Sequence, residues 1–221
     1  MQPAMDALLS EAMVPYILRW GHIMFGIIWL GHLYFFNLVN IPFQGGLDKE
    51  LKAKVNPGLL LRAIWWFRWG AMYTFLFGIA LFIWHYLAPE KNLMSTDGAG
   101  NAVMSGRAMW ILFGMLLGTI MWFNVWFVIW PRQKLILGGM AAGTPHPDAA
   151  KLAATATKAS RFNTYASGPM LYGMLGATHF GAMSFPVLLV VTILGLGFWF
   201  GMIKRSFKIK TLKLQRRPCR E

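Results

Sequence analysis

The sequence predicts an all-α protein, a polytopic bundle of about five transmembrane helices. Of its 221 residues, 57% are hydrophobic and only 13% are charged, whereas soluble domains carry about 25% charged residues. Five apolar stretches also meet or approach the length of about 20 residues that a helix needs to cross a bilayer. They run from Met13 to Val39, Leu59 to Leu87, Ala108 to Trp130, Asn163 to Met183 and Pro186 to Ile203.

The first stretch is expected to stay in the protein as a membrane helix. The residues before it include Asp6 and Glu11 and lack the basic region of a cleaved signal peptide. The single cysteine, Cys219, gives neither a disulfide framework nor the Cys-x-x-Cys-His motif that attaches c-type haem. Covalently attached haem is therefore not expected.

The connections between the later stretches leave two alternatives. Only Ser184 and Phe185 separate the last two stretches, so a tight hairpin and one long broken helix both fit. Pro186 favours the hairpin because proline suits the first turn of a helix. Between the third and fourth stretches, the alanine-rich run 149–159 is expected to form a short helix near the membrane interface.

Lysine and arginine counts in the short loops predict the orientation. The loops assigned to the cytoplasm carry most of the basic residues, and only Arg19, Lys91 and Arg107 fall at the outer ends. The N-terminus is then periplasmic and the C-terminus cytoplasmic. Residues 1–203 form a single transmembrane domain, and residues 204–221 form a basic cytoplasmic tail. The net charge of +13 is thus a topology signal that favours anionic lipid, and nucleic acid is not expected as a partner.

Histidines are the ionisable groups that matter most within the apolar stretches, because all eight acidic residues lie outside them. A proton-coupled transporter is disfavoured, since no carboxylate is available at depth. His22 and His179 both fall in the outer half of the membrane, on different helices. Two imidazoles so placed predict bis-histidine ligation of the iron of a b-type haem; the alternative is that each histidine simply hydrogen-bonds a neighbouring helix.

The other histidines are weaker candidates. His85 ends the second stretch at the interface and is a substitute ligand. His32 lies ten residues beyond His22, about 15 Å along the helix, so the two cannot share an iron. It is interpreted as a helix-packing residue or a weak candidate for a second site.

Arg68 stands near mid-membrane without an acidic partner in reach. A haem propionate, an anionic substrate or a quinone carbonyl would satisfy its guanidinium. Packing on the neighbouring tryptophans as a cation–π contact is the structural alternative. Small-residue pairs on the third and fourth stretches predict close helix packing; these residues are Gly114, Gly118, Gly173 and Gly176.

Several runs spread over about 160 residues resemble the membrane domain of the bacterial membrane-bound urate oxidase (urate hydroxylase) family. They are Arg19-Trp20-Gly21-His22 with Gly26, Trp29 and Gly31; Trp66-Phe67-Arg68-Trp69; Gly118-Thr119-Ile120-Met121 through Asn124 and Phe127 to Pro131; Asn163-Thr164-Tyr165 with Pro169; and His179. The resemblance implies a helical membrane bundle in which His22 and His179 occupy family positions, and it strengthens the haem prediction.

The resemblance also implies a chemistry, in which urate oxidation is linked to a C-terminal cytochrome c domain that passes electrons to the respiratory chain. Two departures bear on that activity: no such domain is expected here, and Gly70 stands where the family has an acidic residue. We expect either a shortened relative that delivers electrons to a separate protein or one that has lost urate chemistry. A fainter similarity, based on one short motif, runs to the membrane protoporphyrinogen oxidase family.

The combined prediction is a multi-pass protein of the bacterial inner membrane that transfers electrons. It holds haem b between His22 and His179, with Arg68 as an electrostatic support. Its expected partners are the lipid bilayer and a cytochrome c, a quinone or a larger membrane complex. The rival prediction is a non-catalytic accessory subunit whose tryptophan-rich faces pack against partners or lipid.

Overall fold

The computed structural model describes residues 13–87 and 93–209, which form five long helices and one β-hairpin. The helices are α1 (Met13–Gly45), α2 (Lys49–Leu87), α3 (Gly106–Ala141), α4 (Ala149–His179) and α5 (Phe185–Ser206), and the strands are β1 (Met94–Thr96) and β2 (Ala102–Met104). The helices run alternately up and down. Met13, the β-hairpin and loop 180–184 lie at one end of the bundle, here called the hairpin end.

Four of the helices, α1, α2, α3 and α5, are long and apolar enough to cross a membrane. The chain is therefore an all-α, multi-pass membrane protein, as the composition predicts. The fourth predicted stretch forms the second half of α4, which has 31 residues but is not among those four. The reason is that α4 turns polar side chains inward, where they are buried: Ser160, Asn163, Thr164 and Ser167.

The helices extend beyond the apolar stretches that predict them. Helix α2 begins at Lys49, ten residues before Leu59, where the side chain of Asp48 accepts a hydrogen bond of 2.8 Å from the backbone N–H of Leu51. Helix α3 continues to Ala141. Hydropathy detects the apolar length of a helix, whereas caps and polar turns decide where the helix ends. Helix α5 similarly ends at Ser206, and the tail from residue 210 lies outside the described residues.

Three of these helices contain a π-helical turn. The turns are Phe35–Asn40 in α1, Ile83–Leu87 in α2 and Asn124–Ile129 in α3. Pro42 and Pro131 follow two of them, in the first turn of the next α-helical segment. Proline lacks the N–H that would close a regular turn, so the wider turn accommodates it without breaking the helix.

The connections around α4 decide between the sequence-based alternatives. Phe180 and Ser184 are extended, and Gly168 of α4 lies against Gly195 of α5, so the two helices form a hairpin. The tight-hairpin alternative is confirmed. The separate interfacial helix predicted for residues 149–159 is wrong, because this run forms the first turns of α4.

Close packing of α3 on α4 depends on glycine. A Cβ atom built on Gly173 would lie 2.7 Å from the backbone nitrogen of Gly114, and one built on Gly176 would lie 2.9 Å from the Trp110 ring. The packing role is confirmed for these three glycines. It is wrong for Gly118, which has nothing within 4 Å of its Cβ position and lines a cavity instead.

The β-hairpin was not anticipated from the sequence. Its strands pair Met94 with Met104, and Asp97 closes the turn by accepting hydrogen bonds from the backbone N–H groups of Ala99 and Asn101 at 2.9 and 2.8 Å. These bonds and that of the Asn101 side chain lower the pKa of the Asp97 carboxyl. Gly100 has a φ of +85°, which suits glycine. The run Asp97-Gly98-Ala99-Gly100-Asn101 was the available turn signal.

Candidate functional site

A large cavity opens among helices α1 to α4 toward the hairpin end. Its volume is about 540 Å³, within the range of roughly 300–1,000 Å³ that small-molecule pockets have. The wall is almost entirely apolar, and the side chains in it that can form hydrogen bonds are His22, Trp29, Tyr34, Thr74 and Thr119. This space is called the His22 cavity below.

The imidazole of His22 is held in a defined orientation. Its Nδ1 lies 2.9 Å from the backbone carbonyl oxygen of Thr74 in α2. A carbonyl oxygen only accepts, so Nδ1 carries the proton and donates it. The second nitrogen, Nε2, then has a free lone pair. Histidines that bind metals usually donate the other ring N–H in this way, because the bond fixes the tautomer and the ring orientation.

Glycines leave space beside the His22 ring and along the cavity wall. A Cβ atom on Gly78 of α2 would lie 3.0 Å from Cε1 of His22 and 3.2 Å from its Nδ1, so only glycine leaves the imidazole in place without displacement. Gly26, Gly31 and Gly118 also line the cavity. The absence of side chains at these positions widens the space between the helices.

The wall formed by α3 and α4 carries three methionines, Met115, Met170 and Met174. Trp29, on the α1 side, is 3% exposed, and its indole N–H has no acceptor among the described residues. The cavity wall therefore presents polarisable sulfur, whereas the Trp29 N–H is itself covered by surrounding atoms and does not open into the cavity.

His179 does not line the cavity. It is the last residue of α4 and is exposed. Leu175 and Leu171, one and two turns before it on the same helix face, do line the wall, so His179 lies one turn beyond the rim. The structure does not show the two histidines in contact.

Two contacts between α1 and α4 place the two histidines within about one helical turn of the same height. The Tyr34 hydroxyl donates a hydrogen bond of 3.1 Å to Oγ of Ser167. His22 lies 12 residues before Tyr34, and His179 lies 12 residues after Ser167. In antiparallel helices this contact puts both positions about 18 Å toward the hairpin end, whereas the hydrogen bond between Asn37 and Ser160 puts Leu175 level with His22 and His179 one turn further on.

Arg68 lies outside the His22 cavity, in a cage of tryptophans. Its guanidinium carbon is 4.0 Å from the ring centroid of Trp130, 5.5 Å from that of Trp126 and 5.6 Å from that of Trp69. Trp126 and Trp130 belong to α3, so the cation joins α2 to α3. This is the cation–π alternative considered from the sequence. The Nε of Arg68 has no acceptor among the described residues.

The remaining candidate histidines lie apart from the cavity. His85 is 3.4 Å from a guanidinium nitrogen of Arg19, near the hairpin end. His32 donates from Nδ1 to the carbonyl oxygen of Ile28 at 2.7 Å and lines a smaller groove between α1 and α2. Among residues 13–87 and 93–209, no three His, Cys, Asp or Glu side chains gather as a metal site.

A buried polar network against α4 was not predicted from the sequence. Asn37 donates to Oγ of Ser160 at 2.8 Å, while Asn163 accepts from Asn124 and donates to the carbonyl oxygen of Met121, both at 2.9 Å. Both Asn37 and Asn124 reach α4 from neighbouring helices. Their placement within π-helical turns was the missing information, and these turns aim both amides at α4.

Comparison with known proteins gives one family match. Residues 92–218 match the family described as urate oxidase N-terminal, a segment that covers more than half of the chain and includes α3, α4 and α5. No curated protein matches the sequence. No solved structure matches it either.

Proposed function

The chain belongs to the urate oxidase N-terminal family, and on that premise we propose that it is a bacterial inner-membrane redox protein that holds a b-type haem in the His22 cavity. It would pass electrons to a respiratory acceptor, such as a cytochrome c or a larger membrane complex. The observation that carries the proposal is the orientation of His22, whose Nδ1–H is bonded to the Thr74 carbonyl and whose Nε2 is left for a metal.

Two features of the cavity fit this group. The wall is apolar and wide enough, and Gly26, Gly31 and Gly118 leave space between the helices. When bound, haem supplies one-electron chemistry that the protein tunes through axial ligation and burial. The role of the chain is to hold His22 as a neutral ligand and to exclude water.

His179 is proposed as the second axial ligand. Its height is within about one helical turn of that of His22, and the wall residues Leu171 and Leu175 share its helix face. One helical turn separates it from the rim, so a small movement of the end of α4 would be required. Arg68 is proposed to act at a distance, as a fixed positive charge that favours electron arrival at the site.

Orientation and substrate complete the proposal. With the N-terminus periplasmic, the hairpin end and the His22 cavity lie toward the periplasm.

Urate is the substrate that the family description suggests, and reduction of the bound haem on addition of urate would establish it. Reduction by dithionite with no response to urate would leave an electron carrier without urate chemistry.

The accessory-subunit alternative has one specific observation in its favour. The hydrogen bond from His22 to Thr74 joins α1 to α2, and a bond of this kind can be the whole purpose of a membrane histidine. In that case the cavity would be filled by lipid chains.

An absorption spectrum of the purified protein in detergent separates the two functions. The redox proposal predicts a Soret band that shifts on reduction and an α band that sharpens. His179→Ala should alter the band positions through the loss of one ligand, while His146→Ala, in the loop before α4, should leave them unchanged. A colourless protein, expressed with haem available, would support the accessory role.

A further inference from the structure

A second pocket lies between α1 and α2 on the side of the bundle that faces lipid. It is a shallow groove of about 390 Å³. His32 and Phe35 of α1 and Leu59 and Ala63 of α2 form much of its wall, and it is called the His32 groove below. Ile27 and Gly31 line both this groove and the His22 cavity, so only one helix thickness separates the two spaces.

The side chains that line the groove offer a ligand a hydrogen-bond acceptor and no free donor. His32 donates its Nδ1–H to the carbonyl oxygen of Ile28 at 2.7 Å, which fixes the tautomer and leaves Nε2 as an acceptor only. The other side chains of the groove are hydrocarbon or phenyl. A ligand that matches this surface has an apolar body and a hydroxyl group that donates.

We propose that the His32 groove binds the reduced, hydroxyl-bearing form of a lipid-soluble quinone, a quinol, whose hydroxyl donates to Nε2 of His32. Its ring packs against Phe35, and its isoprenoid tail follows the apolar wall into the bilayer. Phosphate and ester oxygens of phospholipids only accept hydrogen bonds, so these groups do not match the free lone pair; a head-group ammonium or hydroxyl is the competing donor, and a retained phospholipid is one outcome of the test below. The site does not depend on the haem proposal, because binding is defined by His32 and the groove alone.

The groove is well placed for electron exchange if the His22 cavity holds a redox group. Gly31 presents no side chain between the two spaces, and its Cβ position has no atom within 4 Å. A quinol in the groove would lie next to the wall of the His22 cavity. This arrangement would give the protein an electron partner dissolved in the membrane, reached without crossing water.

The test is a binding titration with the protein in lipid nanodiscs under anaerobic conditions, with decylubiquinol as the probe. Its dimethyl ether, which keeps the ring and the tail but carries a methyl group on each hydroxyl oxygen and has no hydroxyl donors, is the ligand control. We expect the quinol to bind about threefold to tenfold more tightly than the ether, the effect of one hydrogen bond. In His32→Leu the two ligands should bind equally.

Ala63→Phe provides a second variant, which fills the groove without altering His32 and should weaken both ligands. Leu194→Phe, an exposed position of α5, is the control for an added ring on the lipid surface and should leave both affinities unchanged. Equal binding of quinol and ether to the unmodified protein would overturn the proposal. Quinol binding that survives Ala63→Phe would also overturn it. So would a tightly retained phospholipid that is released by Ala63→Phe but not by His32→Leu.

Discussion

At the residue scale, the His22 imidazole is fixed by two features of α2. The Thr74 carbonyl accepts its Nδ1–H, and Gly78 leaves the space in which the ring lies. The sequence alone identified His22 as a polar group at depth, but could not supply the orientation. A backbone carbonyl from a helix more than fifty residues away has no signature in the residue pattern.

Gly78→Ala tests the space beside the ring. The added Cβ would lie 3.0 Å from Cε1 of His22, closer than ordinary contact, so the imidazole must move by a few tenths of an ångström. We expect a shifted Soret maximum and faster loss of haem to an apomyoglobin acceptor. Gly58→Ala, on the same helix with nothing within 4 Å of its Cβ position, is the control, and identical spectra for all three proteins would contradict the account.

The sequence alone left two kinds of partner open for Arg68, an anionic or carbonyl group and the neighbouring tryptophans. Its tryptophan cage depends on Trp126 and Trp130 of α3 as well as on its own neighbour. The partner of Arg68 is decided by the packing of α3 against α2, which is a tertiary feature.

Arg68→Gln tests the cage by removing the cation while keeping a side chain of similar length. Desolvated cation–π contacts contribute about 2 kcal/mol, so the melting temperature in detergent should fall by several degrees. Lys134→Gln serves as the control for loss of a positive charge near the helix end. An unchanged melting temperature for Arg68→Gln would show that the tryptophans pack equally well without it.

At the element scale, α3 and α4 are held together by backbone proximity and by buried amides. Gly114 and Gly173 bring the two backbones together near the hairpin end, and Asn124 with Asn163 joins them further along. The glycine spacing predicted the first contact but wrongly included Gly118. All four glycines have the same small size, and only the position of α4 decides which of them is covered.

Gly173→Ala tests this packing. Its Cβ would approach the backbone nitrogen of Gly114 to 2.7 Å, and a backbone atom cannot turn aside as a side chain can. We expect a loss of about 1–3 kcal/mol, typical of overpacking, seen as a lower melting temperature. Gly118→Ala is the matched control on the facing helix and should melt like the unmodified protein; equal destabilisation by both changes would contradict the assignment.

At the scale of the whole molecule, the composition was enough to predict a helical membrane protein. The apolar stretches located the helix centres but not the helix ends. The long polar start of α2, the π-helical turns and the joining of residues 149–159 to α4 all depend on hydrogen bonds and caps, which hydropathy does not measure. The inward polar face of α4 explains why its apolar signal was the most diffuse.

The single cysteine offers a direct test of orientation. Cys219 lies in the basic tail, which the positive-inside pattern assigns to the cytoplasm. A maleimide that cannot cross membranes should label it only after the inner membrane is permeabilised. In Cys219→Ser, a new thiol from Ser95→Cys in β1 should be labelled in spheroplasts without permeabilisation. The reverse pattern would invert the bundle and move the His22 cavity toward the cytoplasm.

Haem content per chain is the sharpest test of whether His22 holds a haem. The purified protein and His22→Ala, expressed side by side with a haem precursor, would be assayed by the pyridine haemochromogen spectrum and by protein concentration. We expect non-covalent b-type haem near one equivalent in the unmodified protein and almost none in His22→Ala, with equal folding by circular dichroism. Equal haem content in the two proteins, or none in either, would contradict it.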